Sequence, residues 1–425
     1  MNEATLQYVR QHADDDVRQL ALTGSKNPEV DLQAALQQIA GRQTALRKLP
    51  TWAACEGILY PPHLNMEQCS SEQTARYKAA VVASLERSAP TTLIDLTGGF
   101  GVDFSFIAPL FDKAVYVERQ QHLCQLAVHN FAALGVKAEV VCADSVDYLH
   151  SLTKATMIFL DPARRDEHGA RTYGISDCTP NVLALRDELM EKADYVVLKL
   201  SPMLDWRKAV KDLGEPLVRQ VHIVSVDGEC KELLIVLSKE GEGLHLICAN
   251  DDERFEVDAC ITSQTIPSSQ TSLSSITSPT SLASLTSLSG SLCFLYEPNA
   301  SIMKGGCFAE LAARFGVSAL AQNSHLFVSD RLITNFPGRK FRIEAVSSMN
   351  KKELKEKVLP LKQANITVRN FPLTVAELRK RLKLSEGGSH YIFATTLANS
   401  ERVLLLCEKI NHTPENPSFE TKTNN

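Results

Sequence analysis

Between residues 95 and 103 the chain reads Asp95-Leu96-Thr97-Gly98-Gly99-Phe100-Gly101-Val102-Asp103. Glycines in a strand-to-helix turn let the backbone approach a ligand where a Cβ would stand in the way. That ligand is not held by phosphate. A dinucleotide fingerprint starting at Gly99 would need its third glycine where Phe104 stands, and the Gly-Lys-Ser/Thr of a P-loop is absent. Carboxylates follow. Glu118 lies 23 residues beyond Asp95, where a carboxylate accepts hydrogen bonds from both hydroxyls of a ribose. Cys142-Ala143-Asp144-Ser145 offers an acceptor for an exocyclic amine, and Asp161-Pro162-Ala163-Arg164-Arg165 a further carboxylate followed by two guanidinium groups. Together they describe a crevice that holds a nucleoside through its ribose and adenine, without phosphate contacts.

Such groups need elements that bring them to one place. From Thr91 onward, short apolar runs at 92–96, 114–117, 138–142, 156–160, 195–198, 221–225 and 232–237 alternate with helical stretches such as 121–134 and 182–192. This pattern predicts βαβ units and a mostly parallel sheet covered on both faces. The polar groups then sit at the carboxyl ends of four successive strands and converge on one crevice. The first ninety residues predict helices, at 30–46 and 70–85 among others, punctuated by Pro50, Pro61 and Pro62. From 262 to 291, 18 of 30 residues are Ser or Thr, and no charge occurs between Asp258 and Glu297; such composition predicts a flexible linker. Beyond it, a helix at 301–315 precedes a strand at 340–346, a charged helix at 350–359 ended by Pro360, a strand at 365–370, a helix at 374–382 and strands at 391–396 and 402–408. That β-α-β-α-β-β run suggests a small α+β sandwich of ferredoxin-like type.

Over about residues 65–240, the Asp95–Gly101 string, Glu118, Asp144 and Asp161-Pro162 resemble successive motifs of class I S-adenosylmethionine-dependent methyltransferases. The resemblance implies an α/β, Rossmann-like doubly wound sheet and S-adenosyl-L-methionine as cofactor. It puts Asp95, Thr97, Gly98, Gly99 and Gly101 on the methionine part, Glu118 on the ribose, and Asp144 with Ser145 on the adenine. Thr97 departs from the family, standing where the usual pattern has its first glycine. The back of the chain, about 292–410, is similar to the ferredoxin-like and THUMP-like domains appended to some of these enzymes. Pro337-Gly338-Arg339, Leu373-Thr374-Val375-Ala376-Glu377-Leu378-Arg379 and Gly387-Gly388 carry that similarity. THUMP domains bind RNA, which implies tRNA or rRNA as substrate. The organisation expected is a helical region at 1–90, a methyltransferase domain at 91–250, a linker at 262–291, a ferredoxin-like domain at 292–336, a THUMP-like domain at 337–411 and a disordered tail at 412–425.

Two chemistries stay open. In one, Asp161 and the carbonyl of Pro162 hold an amine or ring nitrogen of a flipped-out base. Amine-methylating members usually carry an aromatic residue where this chain has Ala163-Arg164; Arg164 could stack or bind phosphate. In the other, Lys78, Asp161, Lys199 and Glu232, spaced by 83, 38 and 33 residues, resemble the Lys-Asp-Lys-Glu set of ribose 2′-O-methyltransferases. Lys199, with a depressed pKa, would then be the base for a hydroxyl; ordinary salt bridging explains the four equally well. Cys178 is a possible nucleophile for a pyrimidine carbon, against the plain reading of a buried thiol. Gln68 or Ser71 could touch the cofactor, but Ser70 or Ser71 capping the next helix is the simpler role. His129 and His168 have no partners at ligand spacing.

The 425 residues have a net charge of −5, with 44% hydrophobic and 22% charged residues, which suits a soluble globular protein and excludes a disordered chain or a coiled coil. The charge is unevenly spread. Residues 294–411 hold 18 Lys+Arg against 10 Asp+Glu, a net of +8, so the remainder is −13. Lys351, Lys352, Arg379 and Lys380, with Arg164 and Arg165, are candidate RNA contacts. The eleven cysteines include no C-x-x-C pair, so no metal is expected. No secretory signal or membrane span is evident, and a cytoplasmic location is expected. The rival of another class is a non-catalytic RNA-binding protein that retains the fold.

Overall fold

Nine strands build the first sheet: β1 (Thr92–Asp95), β2 (Lys113–Glu118), β3 (Glu139–Cys142), β4 (Ala155–Leu160), β5 (Ala193–Leu200), β6 (Val218–Val226), β7 (Glu229–Leu237), β8 (Leu244–Asn250) and β9 (Glu253–Ala259). In this computed structural model, residues 1–163, 174–259, 294–321 and 323–410 are described. The Ser/Thr-rich segment, the tail, His168, Arg164 and Arg165 therefore lie outside the described residues. The sheet order is β3-β2-β1-β4-β5-β7-β6-β8-β9. β1 to β5 pair in parallel, and β7 lies antiparallel to β5.

The strands form where short apolar runs let both faces be covered: every residue of β4 is buried. Leu93, Tyr116, Met157, Phe159, Val197 and Leu234 meet the helix residues Phe104 and Phe131 in one core. The order reverses direction between β1 and β4, so a cleft opens there at the carboxyl ends of the strands. Asp227 and Gly228, with φ of 53° and 74°, make the two-residue turn joining β6 to β7, the conformation an Asp-Gly pair favours. Strands β8 and β9 are additions to the pattern expected from the sequence.

Helices from Glu3–Gln11 to Glu72–Ala83 precede β1. Ser71 caps the last of them, accepting from the Thr74 N–H at 3.2 Å. Glu72 does not reach back to the cap; its carboxylate accepts from the Thr51 N–H and hydroxyl at 2.7 and 2.6 Å and pairs with Arg76. The helices pack Trp52, Ala45 and Met66 against Phe100 and Val102, and so press on the glycine turn from behind.

By contacts the chain divides into two units. The first runs to Val226 and includes Lys231–Ile247; the second takes Asp227–Cys230, Cys248–Val257 and the described residues from 294 onward. The second unit holds β10 (Phe294–Pro298), β11 (Ser318–Ala319), β12 (Phe327–Ser329), β13 (Gly338–Ser348), β14 (Asn365–Val368), β15 (His390–Thr396) and β16 (Arg402–Lys409). They form one sheet, β11-β12-β10-β13-β16-β15-β14, so the strands on either side of residue 337 share a single ladder. Two expected helices differ. The one at 301–315 is split into Ala300–Gly305 and Phe308–Phe315, because Gly306 ends the first turn in the left-handed region at φ 69°. The one at 350–359 is a single α-turn, Lys351–Glu353, that widens to a π-turn over Leu354–Val358 and tightens to a 3₁₀ turn at Leu359–Leu361. Pro360 supplies no N–H there to continue the α pattern.

Candidate active site

The turn after β1 is fixed by what surrounds it. A Cβ on Gly98 would lie 2.1 Å from the Tyr116 ring, and one on Gly101, at φ 86°, would lie 2.7 Å from Phe131. These two glycines answer to packing. Gly99, at φ 58°, has among the described residues only the Thr97 carbonyl within 4 Å of a Cβ position, at 3.8 Å.

Adjacent strand ends are laced together across the cleft. The Asp161 N–H donates to the Thr97 hydroxyl at 2.6 Å, and the Gly98 N–H to the Val117 carbonyl at 3.0 Å. The Gly99 N–H donates to Glu118 Oε2 at 3.0 Å, and the Ala143 N–H to the Glu118 carbonyl at 3.1 Å. Thr97, replacing the usual glycine, thus ties the glycine turn to the end of β4 through its hydroxyl. The Gly99 N–H, which a phosphate loop would offer to its ligand, is already taken by a carboxylate.

Asp95 is 2% exposed. Burial pushes its carboxyl up to about 8, against the Thr97 N–H bond that lowers it, and Asp103, Asp161 and Glu118 push in the same direction as burial. Glu118 is buried and also accepts from the Gln120 N–H at 2.9 Å. Asp144 is exposed and caps helix Ser145–Ser151, its Oδ1 accepting from the Val146 N–H at 2.8 Å. Carboxyl groups at the ends of β1, β2, β3 and β4 make a set of acceptors that suits a ligand carrying an amine, a sulfonium and ribose hydroxyls.

Beside Asp161 lies a buried ion cluster. Lys199 Nζ is 2.5 Å from Asp161 Oδ2 and 3.7 Å from Asp103 Oδ2. Lys78, fully buried, is 2.6 Å from Glu232 Oε1 and 3.2 Å from Asp103 Oδ1. The four charges at tetrad spacing therefore form two pairs, and Asp103 bridges them. Asp103 stands at the end of the opening motif, but its role was not visible there, because only the fold turns it toward two lysines. One expectation is corrected. Burial opposes the charge on Lys199, but Asp161, Asp103 and Glu232 outweigh it and raise its pKa above that of an ordinary lysine. That is the opposite of the lowered pKa a lysine base would need. The Asp103 carboxyl is held down by Lys78 and Lys199 despite its burial, whereas burial pushes Glu232 up.

Cys178 is 4% exposed, with Ala163 and Thr179 paired beside it through two 2.9 Å hydrogen bonds, so a nucleophilic role is not supported. His129 Nε2 bonds the Gly57 carbonyl at 2.7 Å. Lys351, Lys352 and Lys380 are exposed in the second unit; Arg379 donates to the Ala364 carbonyl at 3.1 Å and borders a shallow depression with Lys380 and Lys383. Among the described residues no group of His, Cys, Asp and Glu could hold a metal ion, and no helix is long and apolar enough to cross a membrane.

A THUMP domain-like family matches residues 338–409, and a ferredoxin-like domain family residues 294–337. The fold superposes on the crystal structure of a Porphyromonas gingivalis W83 protein assigned as a methyltransferase, with a TM-score of 0.78 and 30% identity, over 96% of this chain and 98% of that one. The chain belongs to the class I S-adenosylmethionine-dependent methyltransferases with C-terminal ferredoxin-like and THUMP-like domains. An S-adenosylmethionine-dependent methyltransferase of Mycobacterium tuberculosis (strain CDC 1551 / Oshkosh) is 23% identical over 324 residues, 75% of this chain and 79% of that relative. This methyltransferase uses S-adenosyl-L-methionine as its cofactor.

Proposed function

We propose that this methyltransferase acts on RNA and methylates a base nitrogen. The carrying observation is the 2.5 Å contact between Lys199 Nζ and Asp161 Oδ2, with a lysine that stays protonated. A ribose hydroxyl needs a base, and Lys199 cannot be one. An exocyclic amine needs an acceptor that fixes its orientation, and Asp161, steadied by Lys199, is that acceptor.

The buried carboxylate of Glu118 and the turn at Gly99 fit the cofactor's ribose and methionine part, with Asp95 facing its cationic groups and Asp144 and Ser145 at its adenine. When bound, S-adenosylmethionine supplies an electrophilic methyl on a sulfonium. The protein's own share is positioning. Asp161 Oδ1 and the Pro162 carbonyl accept the amine N–H groups and aim its lone pair into the cleft, while Lys199 occupies Oδ2. By the resemblance of the sequence motif, Arg164 is assigned to a flipped base and Arg165 to a phosphate, both outside the described residues. The THUMP-like match and the net +8 of residues 294–411 support RNA as the substrate, met by Lys351, Lys352, Arg379 and Lys380.

Labelled methyl transfer onto RNA from a strain lacking the protein, followed by nucleoside mass spectrometry, tests this. The expected product is an N-methylated base. A 2′-O-methylnucleoside would overturn the nitrogen acceptor, and label that never enters RNA would overturn the substrate class.

A further inference from the structure

The second unit carries a buried acid, in its ferredoxin-like part, that has no role in methyl transfer. Glu297, on β10, is 4% exposed and lies opposite Arg339 of β13 in the ladder. Its Oε2 accepts from Arg339 Nε at 2.7 Å and also from Nη2. Its Oε1 accepts from Arg369 Nη2 at 2.8 Å; Arg369 follows the end of β14, at the far side of the same sheet. One carboxylate thus serves two guanidinium groups, leaving a surplus positive charge. Lys340, buried with its Nζ on the Phe336 carbonyl at 2.8 Å, and Glu253, bonded to Asn299 and the Gly338 N–H, carry opposite charges that offset each other.

Both arginine side chains remain open, Arg339 44% and Arg369 35% exposed. The Arg369 Nε–H is buried and meets no acceptor among the described residues. A single structural ion pair would need only one of these arginines. Two guanidinium groups held by one carboxylate, each side chain still partly open to solvent, form the fork that grips a phosphate.

The same unit carries a half-buried stacked pair. The His325 ring stacks on Phe308 with centroids 4.3 Å apart and planes 18° from parallel. Burial and the charge of Arg369 both keep its imidazole neutral, below the usual histidine range, so it lies within the field of the fork.

We infer that Arg339, Arg369 and His325 form an RNA contact separate from the methyl-transfer cleft, the two guanidinium groups taking a backbone phosphate and the imidazole stacking on a neighbouring base. This rests on RNA being the substrate. The alternative is a purely structural clamp joining β10, β13 and the end of β14.

Fluorescence anisotropy with a labelled 12-nucleotide single-stranded RNA and with unfractionated tRNA, at several salt concentrations, separates the two. Arg369→Gln is expected to weaken binding roughly tenfold and to reduce the slope of log K against log salt by about 0.7–0.9, one phosphate contact. Arg369→Lys restores the slope but not the full affinity, since it keeps the charge and loses the fork. His325→Ala weakens binding about five- to tenfold with the slope unchanged, as loss of a stack does. S-adenosylmethionine affinity stays at the wild-type value in all three. If Arg369→Gln fails to fold, Arg339→Lys and His325→Ala carry the test. Wild-type RNA affinity in the folded variants overturns the contact and leaves the clamp. If the wild-type chain binds neither RNA, the RNA reading falls, and this contact with it.

Discussion

Asp95 is the residue whose protonation carries the clearest consequence. In an unfolded chain an aspartate ionises near pH ~3.9, whereas burial holds this one up to about 8. Between those values the folded protein carries a proton that the unfolded chain has lost. The stability contributed by Asp95 is therefore fully present below about pH 4 and lost as pH rises through about 8. Docking the cationic part of the cofactor against Asp95 requires its ionised form, so binding at pH 7 releases close to one proton. Calorimetry in two buffers of different ionisation enthalpy measures this, and Asp95→Asn should abolish the release; no proton exchange in the wild-type protein would show that Asp95 does not meet the charge. Glu118→Ala removes paired charge-assisted hydrogen bonds of roughly 1.5–3 kcal/mol, about 10- to 100-fold in cofactor affinity; unchanged affinity would sink the ribose assignment. Lys199→Met should lower kcat by at least tenfold with the cofactor KM unmoved, and a KM-only effect would argue against orientation of Asp161. The placement of Asp95, Glu118 and Asp161 at neighbouring strand ends was readable from the motifs and the strand pattern, because strand ends converge once a parallel sheet is inferred. The protonation of Lys199 was not readable, because it depends on three carboxylates brought in from separate elements.

The ion cluster joins helix Glu72–Ala83 to β5 and β7 through Lys78, Lys199 and Glu232. Lys78→Met leaves Glu232 buried without its partner, which should cost about 3–5 kcal/mol; Lys78→Met combined with Glu232→Gln should recover much of the loss. Chemical denaturation of both single variants and the double variant measures it, and single losses that simply add up in the double variant would mean that the pair is not coupled. Helices with a clear cap were legible: Thr374 and Glu377 form a reciprocal capping box at the start of Val375–Leu382. Thr374→Ala should cost about 1 kcal/mol there. The run at 350–359 was not legible in the same way. Its charge pattern fits a helix, but Lys357 is drawn to the Val346 carbonyl at 2.7 Å, and the backbone widens as it approaches Pro360. Propensity reports nothing about such tertiary ties.

For the whole molecule, the charge asymmetry decides how the parts should be tested. Reversing Lys351, Lys352 and Lys380 to Glu should weaken RNA binding and flatten its salt dependence while sparing cofactor affinity; equal RNA affinity would remove this face from the substrate surface. Truncation at residue 292 is the poorer experiment. Segment Cys248–Val257 belongs to the second unit, where Phe255, 2% exposed, meets Phe315 with ring centroids 6.2 Å apart. Removing the C-terminal part would strip that partner away. The Ser/Thr run suggested a clean division of the chain, but contacts that cross it in sequence were invisible to composition. The same interleaving sets an order on the nascent chain. At a synthesis rate of about 5–20 residues per second, β8 and β9 leave the ribosome several seconds before helix Phe308–Phe315, and Phe255 spends that interval uncovered. A pause in translation after β9 would lengthen the time in which this aromatic surface can be captured by a chaperone or by another unfinished chain.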